Sequence, residues 1–577
     1  MIQKKRGNKV KLKKLFKKIS KSESRKEDII PTHLDYPNFT LYEHVEVTAK
    51  KFPKYYAYEY YNNLCTYEEF MKKIDNCARA LKAEGVKKGD AVTICMPNTP
   101  EAITMFYAVN KIGAVCNMIH PLSSAQEIKY YLNLAESKII LTINVSLEKV
   151  MSIIDETKVE RVVLASPSEE MNGVMSFLYY VTSGRKIKVE KDSRIKKWKE
   201  FISSGKEYTL NTKEDVAMTD TAIILYSGGT TGTPKGIVLS NYNFTALATQ
   251  GKIMCEPCKE GDTALSIMPI FHGLGLGVCI HIPLTVGMKC VLIPAFQAKK
   301  FTQLIKKHKP NFLVGVPTLF EALLKTDLKE NELACIKTVA CGGDSLSINT
   351  KKAIDKFLSD HGSTAQIREG YGLTECSGAS CVTPRGLYKE GSIGIPFPDM
   401  VYKIVKIGTH EEADVMEDGE ICISGPTVMV GYLKNEEETY QTLREHDDGK
   451  VWLHTGDIGC MDSDGYIYFK QRLKRMIVSS GYNIYPSQIE KIIASHKSVL
   501  SCTVIGVSHP YKGQVAKAYI VLNDGYKPTH ELKEEIKAYC EENIAKYALP
   551  YEYEYRDSLP KTLIGKVSYK ALEDENK

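Results

Sequence analysis

Ala222-Ile223-Ile224-Leu225-Tyr226-Ser227-Gly228-Gly229-Thr230-Thr231-Gly232-Thr233-Pro234-Lys235-Gly236 is a run of buried-strand character leading straight into a turn of glycines and hydroxyls. Glycine lacks the Cβ that keeps a backbone away from a ligand, so successive N–H groups here can turn toward a phosphate. Ser227, Thr230, Thr231 and Thr233 add hydroxyl donors, and Lys235 adds a positive charge at the far end. The common nucleotide P-loop needs Gly-Lys-Ser/Thr in succession, whereas Lys235 stands between Pro234 and Gly236, so kinase-like and GTPase-like readings are weak. A linker does not explain a turn of this composition placed directly after a buried strand.

On both sides of this stretch the pattern alternates. A helix is predicted over Tyr67–Glu84, ending at Gly85; the strand Ala91–Met96 follows, and the turn Pro97–Pro100 opens another helix. The strands Lys138–Leu141 and Arg161–Leu164 repeat the theme. Such alternation predicts layered α/β structure with mostly buried strands, and no period of repeat length recurs. Beyond Lys470 the pattern changes: residues 484–570 read as two or three helices and three or four strands, among them Cys502–Val507 and Ala516–Leu522. The predicted organisation is a basic leader (1–30), a large N-terminal α/β domain of mixed sheets and helices (31–470), a hinge (471–475) just past the strand Tyr466–Phe469, and a small α+β lid (476–577).

The 577 residues, 43% hydrophobic and 25% charged, have an ordinary globular balance. Residues 1–28 hold twelve Lys or Arg against three Asp or Glu, which more than accounts for the chain's net +7. The near-neutral remainder argues against nucleic acid as a partner. Leu12, Leu15, Phe16 and Ile19 share one helical face among lysines; residues 9–21 are either a helix lying on an anionic membrane surface or a solvated tail. No segment has the ~18 apolar residues needed to span a bilayer, and the start lacks an apolar signal core, so a cytoplasmic protein is expected. Sixteen scattered cysteines suit a reducing compartment. The one C-x-x-C, Cys255 with Cys258, has no matching second pair and reads as buried thiols rather than zinc ligands.

Further constellations follow in order. In Gly370-Tyr371-Gly372-Leu373-Thr374-Glu375 an aromatic face lies between glycines, and the carboxylate is a hard oxygen ligand suited to magnesium. Gly342-Gly343-Asp344 precedes it, and Thr455-Gly456-Asp457 lies fifteen residues before Arg472; an acidic side chain is a natural acceptor for a vicinal diol. Then come Arg472-Leu473-Lys474-Arg475, Gly481-Tyr482-Asn483, Ile489-Glu490 and Pro560-Lys561-Thr562-Leu563-Ile564-Gly565-Lys566. Together with Tyr226–Gly236 these resemble, in the same order and over roughly residues 37–572, the signature motifs of the adenylate-forming superfamily, acyl-CoA synthetases in particular.

That resemblance implies ATP, Mg2+ and coenzyme A as reactants. It implies a phosphate loop of Ser227, Gly228, Gly229, Thr230, Thr231, Gly232, Thr233 and Lys235. Gly342, Gly343, Asp344 and Gly370 would flank adenine, with Tyr371 stacked on the base beside Gly372. Thr374 would contact phosphate, Glu375 and Thr230 would hold the metal, and Asp457 with Arg472 would take the ribose. Lys474 would be the hinge, Gly481 would border the CoA channel, and Lys566 would be the catalytic lysine. Three positions depart from the pattern: Gln471, Gln488 and Gln514 stand where Gly or Asp, Glu, and Glu are usual.

Met268–Val278 resembles the segment lining the acyl pocket, with His272, Gly273 and Val316 as candidate walls and Pro317, Cys341 and Ala379 nearby. No Asp, Glu, Lys or Arg occurs between Ile267 and Val286, which disfavours amino acids, whose ammonium needs a buried partner. The expected enzyme is a fatty-acid–CoA ligase. Alternatives are a ligase for aryl or other apolar acids, an adenylate former serving a carrier-protein thiol, and a non-catalytic lipid-responsive protein on the same fold.

Overall fold

A computed structural model describes residues 30–171, 192–227, 234–479, 482–561 and 567–576. The basic leader, the loop residues Gly228, Gly229, Thr230, Thr231, Gly232 and Thr233, and Gly481 and Lys566 lie outside the described residues.

Two large sheets form the body. One has eight strands in the order Gly431–Tyr432, Lys235–Ser240, Thr221–Ser227, Val115–Met118, Ala91–Cys95, Ile139–Ile143, Arg161–Ala165, Ile195–Lys197. Its strands are parallel from Thr221–Ser227 onward, while the hairpin return Lys235–Ser240 and its edge neighbour are antiparallel. The other has nine strands, with a parallel centre that includes Thr263–Ser266, Phe312–Gly315, Thr338–Cys341 and Ile367–Tyr371. Strands buried on both faces read as unbroken apolar runs, as Ile139–Ile143 does.

Helices lie between and outside the sheets. Tyr67–Ala83 begins at a capping box, Thr66 with Glu69, and buries Phe70, Ile74, Cys77 and Leu81 along one stripe. It packs on Pro100–Lys111, a helix buried on every side. Asn241–Met254 packs on the eight-stranded sheet and on the helix Leu274–His281, which in turn packs on strand Thr263–Ser266 of the other sheet. Full burial of each large apolar side chain in this layer contributes about 1.5–3 kcal/mol.

A third, antiparallel sheet follows: Val401–Val405, Gly419–Ser424, Val451–Met461 and Leu443–Glu445, with Ile467–Arg472 also paired to the long strand. The expected strand Tyr466–Phe469 therefore runs on to Arg472. A bulge between Ile458 and Gly459 shifts the register, and the ladder ends with Asp457 opposite Arg472. Leu473–Arg475 is a single 3-10 turn. The small C-terminal domain is a sheet built on the hairpin Val499–His509 with Gly513–Leu522, covered by Pro486–Ala494 and His530–Asn543. A large mixed α/β domain with a small α+β domain after it is the architecture expected from the alternation. Among the described residues no helix is long and apolar enough to cross a membrane. Cys255 and Cys258 are buried, free thiols.

Candidate active site

Ligands of parallel sheets bind outside the carboxyl ends of strands, and the predicted residues gather there. Ser227 closes Thr221–Ser227, Val316 follows Phe312–Gly315, Gly342 follows Thr338–Cys341, and Gly370 and Tyr371 end Ile367–Tyr371. The last three strands are parallel neighbours, and the N–H of Gly342 donates to the carbonyl of Gly315 at 3.0 Å.

Hydrogen bonds join the three sheets at this mouth. Ser227 Oγ donates to Glu375 Oε1 at 3.3 Å, and Tyr432 Oη donates to the same oxygen at 3.1 Å. Thr374 is buried at the start of the 3-10 turn Thr374–Cys376 that carries Glu375. Tyr371 Oη donates to Asp457 Oδ2 at 2.6 Å, and Arg472 Nε lies 3.4 Å from Oδ1 as an ion pair. Asp457 Oδ1 is buried and has no hydrogen-bond partner among the described residues, an uncommon condition for a buried acceptor. Burial pushes the Asp457 carboxyl up despite Arg472, and Asp457 in turn pushes the Arg472 guanidinium up. Asp344, exposed at the end of its strand, contributes to the field at Arg472.

Lys235 opens the strand Lys235–Ser240. Its ammonium pairs with Glu438 and sits 5.0 Å from the Tyr432 ring centre. Gly236 backs onto Leu433, and Gly372 is pressed against the backbone of Gly378 and Ala379. Past the ladder's end, Arg475 donates to Glu490 Oε1 at 2.5 Å and covers the Tyr569 ring at 3.7 Å, beside Lys474. Ser487 Oγ donates to the Lys470 carbonyl at 2.5 Å. Gln471 is buried, and neither atom of its amide has a partner among the described residues.

The apolar segment is more distorted than its sequence suggests. Leu274–His281 is a π-helix, a geometry frequent at functional sites. A Cβ on Gly275 would fall 1.9 Å from the Pro269 carbonyl oxygen, and one on Gly273 would meet the Gly378 Cα at 3.0 Å. Gly273 and its neighbour His272 are thereby set against the chain just past Glu375. Met268, Phe271, Leu274 and Ala379 are partly buried against the core.

Sequence reasoning missed Tyr432, Glu438 and His120. Tyr432 and Glu438 reach the mouth from a short edge strand and the helix after it, with no local motif to mark them. His120 packs on Phe271 with ring centres 4.3 Å apart, a contact no spacing reveals.

The AMP-binding enzyme model matches residues 45–433, and the AMP-binding enzyme C-terminal domain model matches residues 488–566. The chain belongs to this family and is an adenylate-forming acid–CoA ligase. It is similar to a long-chain-fatty-acid–CoA ligase of Bacillus subtilis (strain 168), 32% identical, covering 95% of this chain and 96% of that one. It is also similar to a probable 4-coumarate–CoA ligase 3 of Dictyostelium discoideum, at 29% identity over 87% and 89% of the two chains. In fold it matches ATP-bound MatB from Rhodopseudomonas palustris with a TM-score of 0.80, 22% identity, and coverage of 93% and 99%. The anthranilate–CoA ligase AuaEII with anthranoyl-AMP gives a TM-score of 0.80, 23% identity, and coverage of 94% and 98%.

Proposed function

We propose that this ligase uses ATP to convert a fatty, apolar carboxylic acid into its acyl-adenylate with release of pyrophosphate, then transfers the acyl group to coenzyme A. The nucleotide part of the reading is carried by the lone buried oxygen of Asp457, fixed by Tyr371 and flanked by Arg472. A ribose diol supplies the donors that this acceptor lacks.

Attack of a carboxylate on the α-phosphorus brings anion toward anion, so the residues must hold the nucleophile in line and offset the repulsion. The 228–233 loop and Lys235 take the phosphates, Gly342, Gly343, Asp344 and Gly370 border the base, and Tyr371 offers it a face. Lys235 exchanges Glu438 for phosphate oxygens as ATP enters. Lys566 reaches the carboxylate and α-phosphate, where charge develops. Glu375, oriented by Tyr432 and Ser227, and Thr230 are hard oxygen donors that fit Mg2+. Bound there, magnesium would neutralise phosphate charge. Lys474 is the pivot for rotation of the small domain, residues 476–577, which withdraws Lys566 and brings Gly481 to the thiol channel.

The wall formed by His272, Gly273 and Val316, with an uncharged stretch from 267 to 286, favours an apolar tail. The name of the Bacillus subtilis relative supports a fatty acid, and that of the Dictyostelium relative supports an aryl acid as second reading. ATP–pyrophosphate exchange across acids from acetate to oleate, with aromatic acids alongside, separates them. Long-chain acids should give the highest kcat/KM; a preference for coumarate or benzoate would overturn the fatty-acid reading.

A further inference from the structure

The antiparallel sheet between residues 401 and 461 carries a histidine cluster that the proposed reaction does not use. His454 lies on the long strand Val451–Met461, His446 just after Leu443–Glu445, and His410 on the exposed turn where Lys406 N–H bonds the Glu411 carbonyl. One nitrogen from each of the three rings lies within 4.8 Å of the others. His410 stacks on His446 with ring centres 4.2 Å apart, and Trp452 closes the other side of His446 at 5.8 Å. Trp452 is held by its indole N–H to Asp448, which also pairs with Lys403 at 3.5 Å, the ammonium lying over the Trp452 ring at 4.3 Å.

The hydrogen bonding is what makes the cluster informative. His454 Nδ1 donates to Glu420 Oε2 at 2.8 Å, and the other oxygen of Glu420 accepts from the Gly456 N–H at 2.9 Å. A carboxylate can only accept, so a His454 proton is on Nδ1, and in the neutral form of the ring Nε2 is a lone pair. That lone pair faces His446 Nε2 at 2.9 Å. His446 is 4% exposed, and its Nδ1 has no hydrogen-bond partner among the described residues. If His446 carries its proton on Nε2, a buried lone pair on Nδ1 is left bare. If it carries it on Nδ1, two Nε2 lone pairs confront each other. Neither neutral tautomer satisfies the pair with protein groups alone; an ion between the two Nε2 atoms relieves the second arrangement, with the His446 proton on Nδ1.

We propose that His410, His446 and His454 bind one divalent d-block cation of the zinc, cobalt or nickel class, with Glu420 orienting His454 from behind. Imidazole nitrogens suit these ions, whereas magnesium demands oxygen. Two nitrogens at about 2.0–2.1 Å from a tetrahedral zinc stand roughly 3.3 Å apart, close to the Nε2–Nε2 separation found. A carboxylate on the second nitrogen of a ligating histidine is the usual arrangement around such ions. His410, exposed on its turn, closes the third edge by ring rotation and leaves the fourth position open to solvent. Cys422, opposite His454 on the neighbouring strand with Sγ 3.6 Å from Nδ1, lies behind the histidine on the Glu420 side.

The test uses the full chain without a histidine tag, stripped with chelator and titrated with Co2+. One equivalent should bind with the visible absorption of four-coordinate cobalt, be displaced by Zn2+, and resist excess Mg2+. His410→Ala alters only an exposed ring, so it decides the matter even where His446→Gln fails to fold. It should weaken cobalt binding by about tenfold or more, and Glu420→Gln by about 10- to 100-fold. Absence of the cobalt spectrum, displacement by Mg2+, or unchanged affinity in His410→Ala overturns the site.

Discussion

Asp457→Asn keeps the shape of the side chain and removes its charge, so it isolates what the lone oxygen does. One oxygen is engaged by Tyr371 at 2.6 Å, which leaves the other, without a hydrogen-bond partner among the described residues, as the proposed acceptor for a ribose hydroxyl. In the variant the amide oxygen stays with Tyr371 and the NH2 group faces the ribose, where it donates instead of accepting. Loss of one hydrogen bond to a charged group costs about 1.5–3 kcal/mol, or roughly 10- to 150-fold in kcat/KM for ATP. The fold should not suffer. Burial raises the Asp457 carboxyl above its ordinary value, so its contribution to stability is fully present below the unfolded pKa and is lost as pH rises through the folded one. At pH 7 the buried charge is a burden, and Arg472, its side chain 56% exposed, can be hydrated on its own. The melting temperature at pH 7 should therefore hold or rise while activity falls. ATP–pyrophosphate exchange with ATP and 2′-deoxy-ATP makes the comparison: the wild type should discriminate between them and the variant much less. A kcat/KM within about threefold of wild type, less than the loss of one such bond predicts, or discrimination left intact, would refute the assignment.

Lys566→Ala should lower pyrophosphate exchange by about 10²–10³-fold and leave thioester formation from supplied acyl-adenylate near wild type; equal loss of both steps would sink the two-arrangement mechanism. Glu101 lies in the fully buried helix Pro100–Lys111, where burial and then Glu170 and Glu169 push its carboxyl up to about 8. The stability it contributes as a neutral acid is complete below about pH 4.3 and lost as pH rises through that raised value. Glu101→Gln should gain at most about 3–5 kcal/mol over wild type at pH 9 and little at pH 4. Urea unfolding at the two values that gave parallel curves would contradict this.

Much of the candidate site's arrangement was legible because it depends on residue types in local order. Ser227 ending a strand, Tyr371 and Glu375 around a tight turn, and Asp457 fifteen residues before Arg472 are set by backbone reach and donor chemistry within short segments. The layered α/β body was legible from periodicity alone. Sheet order was not, because periodicity says which strands are buried and not which neighbour each takes. Tyr56–Tyr60 pairs with Lys289–Leu292, more than two hundred positions away. The third sheet merged with the body in the sequence pattern, since its strands alternate like any others. The π-helix at Leu274–His281 was hidden because Gly277 lies against Leu247, Phe244 and the Ser377 carbonyl, contacts far off in the chain that local spacing does not report. Tyr432 and Glu438 were hidden for the same reason: their partners, Glu375 and Lys235, lie far off in the chain.

The ladder that terminates on Asp457 opposite Arg472 gives the enzyme a shared anchorage. The final rung before the turn Leu473–Arg475 is also the pair proposed for the sugar, so a nucleotide clamped there would brace the mount about which the proposed rotation of the small domain takes place. How firmly the cap region is seated and how well the sugar is held then become a single mechanical quantity, and lengthening the segment between Arg472 and Lys474 by even one residue would uncouple them.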